Sequence, residues 1–363
     1  MYLNNNEEQN HSFWTVRVGS LESKLGKILS IAVVVVLLAL AIFRLGGLRE
    51  ERLATTHRNR ILMDTVVTIR IYQGELSGTA ETAVEMAFAE IERLEGLLSG
   101  WMPDSDVNRI NDAAGRGSVS VSPETWQAIT AAQEISRLTD GAYDISIGAV
   151  MRLWDFQAPE SLVPEEAAIQ KNLRLVGLDQ VFLDSAKATV GLRGRGAAID
   201  LGGSAKGFAV DRAIEVLQEC GVKTALVDAG GDIRLLGRKS RGERWKIGIR
   251  HPRNPEQTIE VLQVDSGAVA TSGDYERCFF QDGVRYHHIL DPKTGMPARG
   301  IASVTILAKT ALEADILSTA VFVLGPQRGM TLIERLGEVE GIIYVTGPEG
   351  LQRLASSGCP PSS

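Results

Sequence analysis

The hydrophobic pattern changes period several times along the chain. Residues 28–43, ILSIAVVVVLLALAIF, are apolar without a break and lie between Lys27 and Arg44. Residues 66–72, VVTIRIY, are rich in β-branched side chains and predict a strand. Over residues 79–98, Val84, Ala87, Phe88, Ile91, Leu94 and Leu98 fall on one stripe, which predicts an amphipathic helix. Ser122 followed by Pro123 predicts a capped helix start, and residues 165–175 a further helix. Strand signals then crowd together: TALVDA (224–229), DIRLLG (232–237), WKIGIR (245–250), TIEVLQV (258–264) and RYHHIL (285–290), separated by short turns that suit antiparallel hairpins. SVTILA (303–308) is another strand, followed by a helix from about residue 310 to 324 that is apolar nearly all round. Strands in runs, with helices between the runs, predict an α+β fold with mixed, largely antiparallel sheets rather than a doubly wound one.

The apolar run at 28–43, extended to Leu48 with Arg44 snorkelling, is long enough to span a bilayer. Ala39-Leu40-Ala41 also matches a signal-peptidase pattern, but no polar region precedes it, so an uncleaved anchor is the favoured reading. Flanking charges do not orient it, because Arg17, Lys24 and Lys27 precede it and Arg44, Arg49, Arg52 and Arg58 follow it. The expected organisation is a polar tail (1–27), the membrane segment (28–48), a charged linker (49–60), one folded domain (61–350) and a flexible carboxyl tail (351–363).

Composition narrows the partners more than the fold. The chain has 363 residues and a net charge of −7, so a nucleic-acid backbone is not an expected ligand. The three cysteines, Cys220, Cys278 and Cys359, are far apart and form no zinc or disulfide framework, and Cys359 lies in the expected tail. GGSAKG (202–207) has the wrong spacing for a P-loop, and GRGAAI (194–199) lacks the last glycine of a dinucleotide fingerprint.

The densest chemistry is DLGGSAKG, residues 200–207, at a helix start. Glycines there let backbone N–H groups approach an anion, and Lys206 adds a point charge suited to phosphate. Asp200 would repel phosphate and should serve a base, a hydroxyl, a ring N–H or a metal; the plain alternative is a turn with Asp200 as a cap and Lys206 solvated. In the apolar helix at 310–324, Asp315 and Thr319 lie four residues apart on one face. A buried carboxylate needs a partner, either a hard cation such as Mg²⁺ shared with the hydroxyl or a basic side chain from elsewhere. The DP turn at 291–292 follows His287 and His288, one of which can face a site as a base while the other faces core or solvent. TSGDYER (271–277) places hydroxyls beside a glycine; the plain alternative is a turn with local side-chain bonds. Trp101, Tyr143 and Trp154 lie among turn residues and are candidates to stack on a flat ligand.

Nine stretches, in order, resemble the ApbE family of FAD:protein FMN transferases: MDT (63–65), SGWMPDSDVNRIN (99–111), GAYDIS (141–146), AIDLGGSAKGFAVD (198–211), VDAGGDI (227–233), WKIGIRHP (245–252), VATSGDYER (269–277), HILDPKTG (288–295) and EADILSTA (313–320). The resemblance implies that FAD, bound with Mg²⁺, gives its FMN half to a threonine or serine of an acceptor protein, with release of AMP. It implies flavin contacts at Met63, Trp101, Ala142, Tyr143, Asp144, Asp200, Lys206 and Ile289, and a metal held by the Gly203 carbonyl, Asp315 and Thr319. His288 stands in the position of the family's histidine and is assigned the base, with a pH dependence expected near neutrality; Lys206 would neutralise the pyrophosphate. The acceptor is expected to be a membrane redox subunit, and the catalytic domain to face the periplasm or exterior from the inner membrane. Asp64 departs from the usual Met-Gly-Thr. Two other outcomes share the same site: Mg²⁺-dependent hydrolysis of FAD to FMN and AMP, and a non-catalytic flavin carrier, which would need neither metal nor base.

Overall fold

The computed structural model describes residues 55–72, 77–158, 161–239, 243–348 and 350–361. The expected membrane segment at 28–48 lies outside them. Among the described residues, no helix is long and apolar enough to cross a membrane.

The centre is an eight-stranded sheet of β1 (Thr55–Leu62), β2 (Thr65–Tyr72), β6 (Ala225–Ala229), β7 (Asp232–Leu236), β10 (Gly267–Gly273), β13 (Ile301–Ala308), β14 (Glu340–Gly347) and β15 (Gly350–Ala355), in that spatial order. Every neighbouring pair is antiparallel. Strand side chains alternate between faces, so each strand serves two cores. Val67, Ile69, Val227, Ala270, Val304, Ile306 and Ile343 face the larger core with the helices α1 (Ser77–Leu98), α6 (Ala205–Glu219) and α7 (Ala311–Leu324). Leu235, Val269, Leu307, Ile342 and Tyr344 face the other side, covered by the hairpin β8 (Trp245–His251) and β9 (Asn254–Val264) through Trp245, Ile247, Ile249 and Leu262. Ala302 joins this second side because a register shift between Ile301 and Ser303 resets the alternation. Each large apolar side chain buried here contributes about 1.5–3 kcal/mol.

Smaller elements complete the unit. A three-stranded sheet, β3 (Ser118–Ser120), β5 (Thr189–Leu192) and β4 (Val181–Asp184), lies among α2 (Asp106–Asp112) and α3 (Pro123–Leu138). Ser122 caps α3 through the Thr125 N–H, with Pro123 in the first turn as its sequence predicts. A third apolar cluster joins α4 (Gly148–Met151) and α5 (Glu166–Leu173) to the hairpin β11 (Cys278–Gln281) and β12 (Val284–His287). The last helix, α8 (Pro326–Leu336), packs against α7 and β14.

Four expectations need correction. The charged stretch assigned to a linker contains β1, which begins at Thr55. Its Arg58 and Arg60 pair with Glu81 and Glu85 of α1, and an edge strand held this way needs no apolar period. The expected carboxyl tail likewise contains β15, the opposite edge, and Cys359 beyond it packs against the second core. Finally, Thr271–Gly273 belong to β10 rather than to a turn, while the strand read over 285–290 stops at His287, where the chain enters the Asp291 turn.

Candidate active site

The site is built where α6 starts. Ala198 bridges Ile147, and the Asp200 N–H donates to the Ile145 carbonyl at 2.7 Å, which ties the turn to the loop after α3. Asp200 Oδ1 accepts the Gly202 N–H at 2.6 Å, so this carboxylate closes the turn as the plain reading allowed. The Ser204 and Ala205 N–H groups both donate to the Leu201 carbonyl; among the described residues the Gly203 carbonyl takes no backbone hydrogen bond.

The last two glycines of the motif allow close approach. A Cβ on Gly207 would lie 2.3 Å from the Ala311 carbonyl oxygen and 2.9 Å from Asp315 Cβ. With glycine there, α6 contacts α7 directly, and the Gly207 N–H donates to Asp315 Oδ2 at 3.1 Å. A Cβ on Gly203 would meet Tyr143 Cε2 at 3.1 Å and Thr319 Oγ1 at 3.2 Å, so this turn lies against both residues. Helix α7 is held in place by Asp211, which accepts the Ala311 and Leu312 N–H groups at 2.9 Å each, and by the Thr310 cap. Burial pushes the Asp211 carboxyl up to about 6.

Lys206 is ion-paired rather than left to solvent. Its Nζ lies 2.5 Å from Asp232 Oδ2 and 3.7 Å from Asp315 Oδ2. Burial works to lower its pKa, but the two carboxylates outweigh burial and hold the ammonium above its ordinary value. Burial pushes Asp315 upward against the pull of Lys206, and burial together with Asp315 pushes Asp232 upward. One ammonium thus faces two buried carboxylates. Among the described residues, the Gly207 N–H and the Lys206 ammonium both approach the Asp315 carboxylate at Oδ2, and no donor reaches Oδ1. Thr319 Oγ1 lies 3.3 Å from Ser272 Oγ, which bonds Ser318 Oγ at 2.7 Å. Among the described residues no three His, Cys, Asp or Glu side chains converge on a metal position. The donors present are one carboxylate with a spare oxygen, one hydroxyl and one backbone carbonyl. That set fits a magnesium ion, which takes one or two carboxylates and fills its remaining positions with water and substrate phosphate. Both alternatives read for Asp315 therefore have a basis: the lysine is present, and the oxygen set is too.

Tyr143 is buried, and among the described residues its hydroxyl has no hydrogen-bond partner of good geometry. Asp144 spends its Oδ1 on the Ser146 N–H and Oγ, at 2.8 and 2.6 Å, within its own turn. Ala142, next to Tyr143, and Ile289, two residues before Asp291, are both buried, and the Ile289 carbonyl accepts from the Ala298 N–H. Met63 and Asp64 form the two-residue turn between β1 and β2, with φ of 53° and 57°. Aspartate tolerates this left-handed conformation better than most side chains, so it can replace glycine here. Trp101 is 87% exposed and unconnected to the charged cluster. Trp154 is a correction: it is buried in the third core, stacks on Phe156 at 5.5 Å and donates to the Gly295 carbonyl, so it has no open face for a ligand.

The histidines separate as a neighbouring pair should. The His287 ring bonds the Ala298 carbonyl at 2.8 Å and the Ile289 N–H at 3.3 Å, which commits it to structure. His288 has a free Nδ1, and its backbone N–H donates to the Arg277 carbonyl. Burial, followed by the charge of Arg277, lowers His288 to about 3. Both effects favour the neutral ring in the ligand-free protein.

The sequence model of the ApbE family matches residues 63–343. The chain belongs to the ApbE family. Among relatives, an FAD:protein FMN transferase of Klebsiella pneumoniae is 34% identical over 288 residues, covering 79% of this chain and 87% of its own. One from Treponema pallidum is 33% identical, covering 82% and 86%. The crystal structure of an ApbE protein from Thermotoga maritima superposes with a TM-score of 0.77 at 36% identity, over 84% of this chain and 97% of its own. The flavin transferase ApbE from Vibrio cholerae gives 0.75 at 30%, with the same coverage.

Several residues of this ApbE site escaped the sequence reading. Asp232 was seen only as part of VDAGGDI. The Gly230-Gly231 turn packs on Thr65 and starts β7 so that Asp232 meets Lys206. Ser272, Ser318 and Arg277 were also unassigned. Two polar residues beside glycines in otherwise apolar strands were the available signal for Asp232 and Ser272.

Proposed function

We propose that this chain is an FAD:protein FMN transferase that moves the FMN half of FAD onto a threonine or serine hydroxyl of an acceptor protein and releases AMP. The observation that carries the reading is the buried trio of Lys206, Asp232 and Asp315, whose carboxylates exceed its ammonium by one and, among the described residues, leave Asp315 Oδ1 without a donor one helical turn before Thr319, which Gly203 packs against. Magnesium, held by Asp315, Thr319 and the Gly203 carbonyl, would supply charge neutralisation at the pyrophosphate.

The rest falls to the chain's own groups. Lys206 at the start of α6 presents a second positive charge to the phosphates, with the helix N–H groups behind it. Tyr143, Ala142, Asp144, Asp200, Met63, Trp101 and Ile289 are the proposed flavin contacts. The acceptor hydroxyl oxygen bonds to the FMN phosphorus as the phosphoanhydride bond breaks, and AMP leaves with the bridging oxygen. His288 takes the hydroxyl proton. A neutral imidazole is ready to accept it, and an anionic pyrophosphate beside the ring would raise its basicity from the ligand-free value. A carrier would not need the metal set; a hydrolase would need it equally.

The acceptor is proposed to be a membrane redox subunit, and residues 28–48 an anchor that holds residues 49–363 outside the cytoplasm. Protease added to spheroplasts should digest the folded domain; full protection would reverse the orientation. For the activity, enzyme, FAD and Mg²⁺ are incubated with an acceptor domain and its intact mass is measured. A gain equal to FMN, lost when the acceptor threonine becomes alanine, is expected. Free FMN and AMP with the acceptor unmodified would make the protein a hydrolase, and no AMP at all a carrier.

A further inference from the structure

We infer that Asp232 is a positioning residue whose task is to hold the Lys206 ammonium away from Asp315 and so keep Asp315 available to a divalent cation. The inference rests on the metal reading given above and adds a residue to it.

The geometry is asymmetric. Lys206 Nζ lies 2.5 Å from Asp232 and 3.7 Å from Asp315, both on Oδ2, and Asp315 Oδ2 already accepts the Gly207 N–H. The ammonium is thus within about one ångström of closing a full ion pair with Asp315, and only the stronger pair with Asp232 draws it the other way. All three groups are largely withdrawn from water, so solvent does not weaken this competition as it would at a surface. Asp232 itself is fixed at the first residue of β7 by the Gly230-Gly231 turn, where it has 3% exposure and, among the described residues, no other donor competes for its Oδ2. A cation arriving at Asp315 must contend with the Lys206 charge; the closer that charge stands, the weaker the cation binds. The charged groups surrounding this contest are Lys206 from α6, Asp315 from α7, Asp232 and Asp228 from the β6–β7 hairpin, and Arg277 from the loop after β10.

Two mechanisms would let Asp232 favour a cation: holding Lys206, or simply adding negative charge. A double-mutant cycle separates them. Mn²⁺ binding, without FAD, is measured on the folded protein by electron paramagnetic resonance for the wild type, Asp232→Asn, Lys206→Met and the double variant, with Asp315→Ala as the control. Circular dichroism checks that each is folded, and Asp232→Ala replaces any asparagine variant that is not. If Asp232 acts by holding the lysine, Asp232→Asn weakens Mn²⁺ about tenfold or more while Lys206 is present. In the Lys206→Met background the same change then alters affinity by less than about twofold. Equal losses in both backgrounds, or no loss in the first, overturn the inference and leave the metal reading standing. If Asp315→Ala binds Mn²⁺ as the wild type does, or the wild type shows no saturable binding, the metal reading falls and takes this inference with it.

Discussion

Two ionic clusters, one at the start of α6 and one just past the end of β10, use similar parts to different ends. In the first, Lys206 serves both Asp232 and Asp315. In the second, Asp274 is gripped by Arg253 through two parallel bonds of 2.6 and 2.8 Å, and Arg285 adds a third at 3.3 Å. Arg253 also donates to Thr346 Oγ1, so the cluster ties β10, β12 and β14 together. The second cluster has two cations for one carboxylate, and its arginines reach solvent, which shields the surplus charge. The first has two carboxylates for one cation, both withdrawn from solvent, and leaves an oxygen without a donor. Saturated bidentate pairing marks scaffold; a buried surplus of one sign marks a place that awaits a ligand.

The comparison breaks most visibly on deletion of the two aspartates. Asp274→Ala removes the shared partner of two partly exposed arginines and should cost about 1–3 kcal/mol of stability, read as a lower urea midpoint. Asp315→Ala removes one of two like charges and should leave the midpoint nearly unchanged, while flavin transfer falls about a thousandfold or more. Were Asp315→Ala the more destabilising of the two, the first cluster would be scaffold as well.

A second test uses pH and the committed histidine. Burial lowers His287 to about 4, against an ordinary value of 6.5. Between those values the unfolded chain binds a proton that the folded chain refuses, so stability rises with pH through this window and is lost as pH falls from about 6.5 toward 4. The loss from this one ring approaches ~3 kcal/mol. His287→Gln should lower stability at pH 7, because it disturbs the bonds to Ala298 and Ile289, yet flatten the slope between pH 7 and 4.5. An unchanged slope would assign the acid sensitivity to the carboxylates instead.

How far the sequence reveals this architecture depends on where each signal resides. The buried α7 was readable because an apolar run enclosed Asp315 and Thr319, and a polar group inside an apolar helix stands out. The α6 start was readable because its glycines cluster. The edge strands β1 and β15 were not, since their stability comes from one-sided pairing and, in β1, from ion pairs to α1. Asp232 was equally hidden: no local pattern reveals that a carboxylate at residue 232 will meet a lysine at 206, because the pairing is made by the sheet. Trp154 misled for the converse reason, as turn residues around an aromatic do not reveal that a separate hairpin covers it.

The smallest expected effect concerns a third ionic contact, at the surface, which sharpens what burial does for the first two. Asp64 Oδ2 lies 3.8 Å from Arg277 Nη1 and accepts from Gln157 Nε2 at 3.2 Å. Both charged side chains are substantially exposed, 64% for Asp64 and 41% for Arg277. The charge of Arg277 nevertheless acts on Lys206 and His288, which puts it close enough to these groups to bear on an anionic substrate held there. Asp64, standing where relatives are expected to carry glycine, competes with an anionic substrate for that guanidinium. Exposed pairs are worth at most about 1 kcal/mol, so Asp64→Gly should lower the KM for FAD by no more than about fivefold, and by twofold more typically. The kcat should not change, because the pair is made before substrate binds and is absent afterwards. Asp64→Asn tolerates the same left-handed turn and should reproduce the effect, which separates charge from backbone freedom. In ~0.5 M salt the gain should vanish, since screening reaches exposed pairs first. A KM that stays constant in both variants at low salt would remove Arg277 from the path of the substrate's phosphates, and a rise would give Asp64 a direct role in holding the flavin.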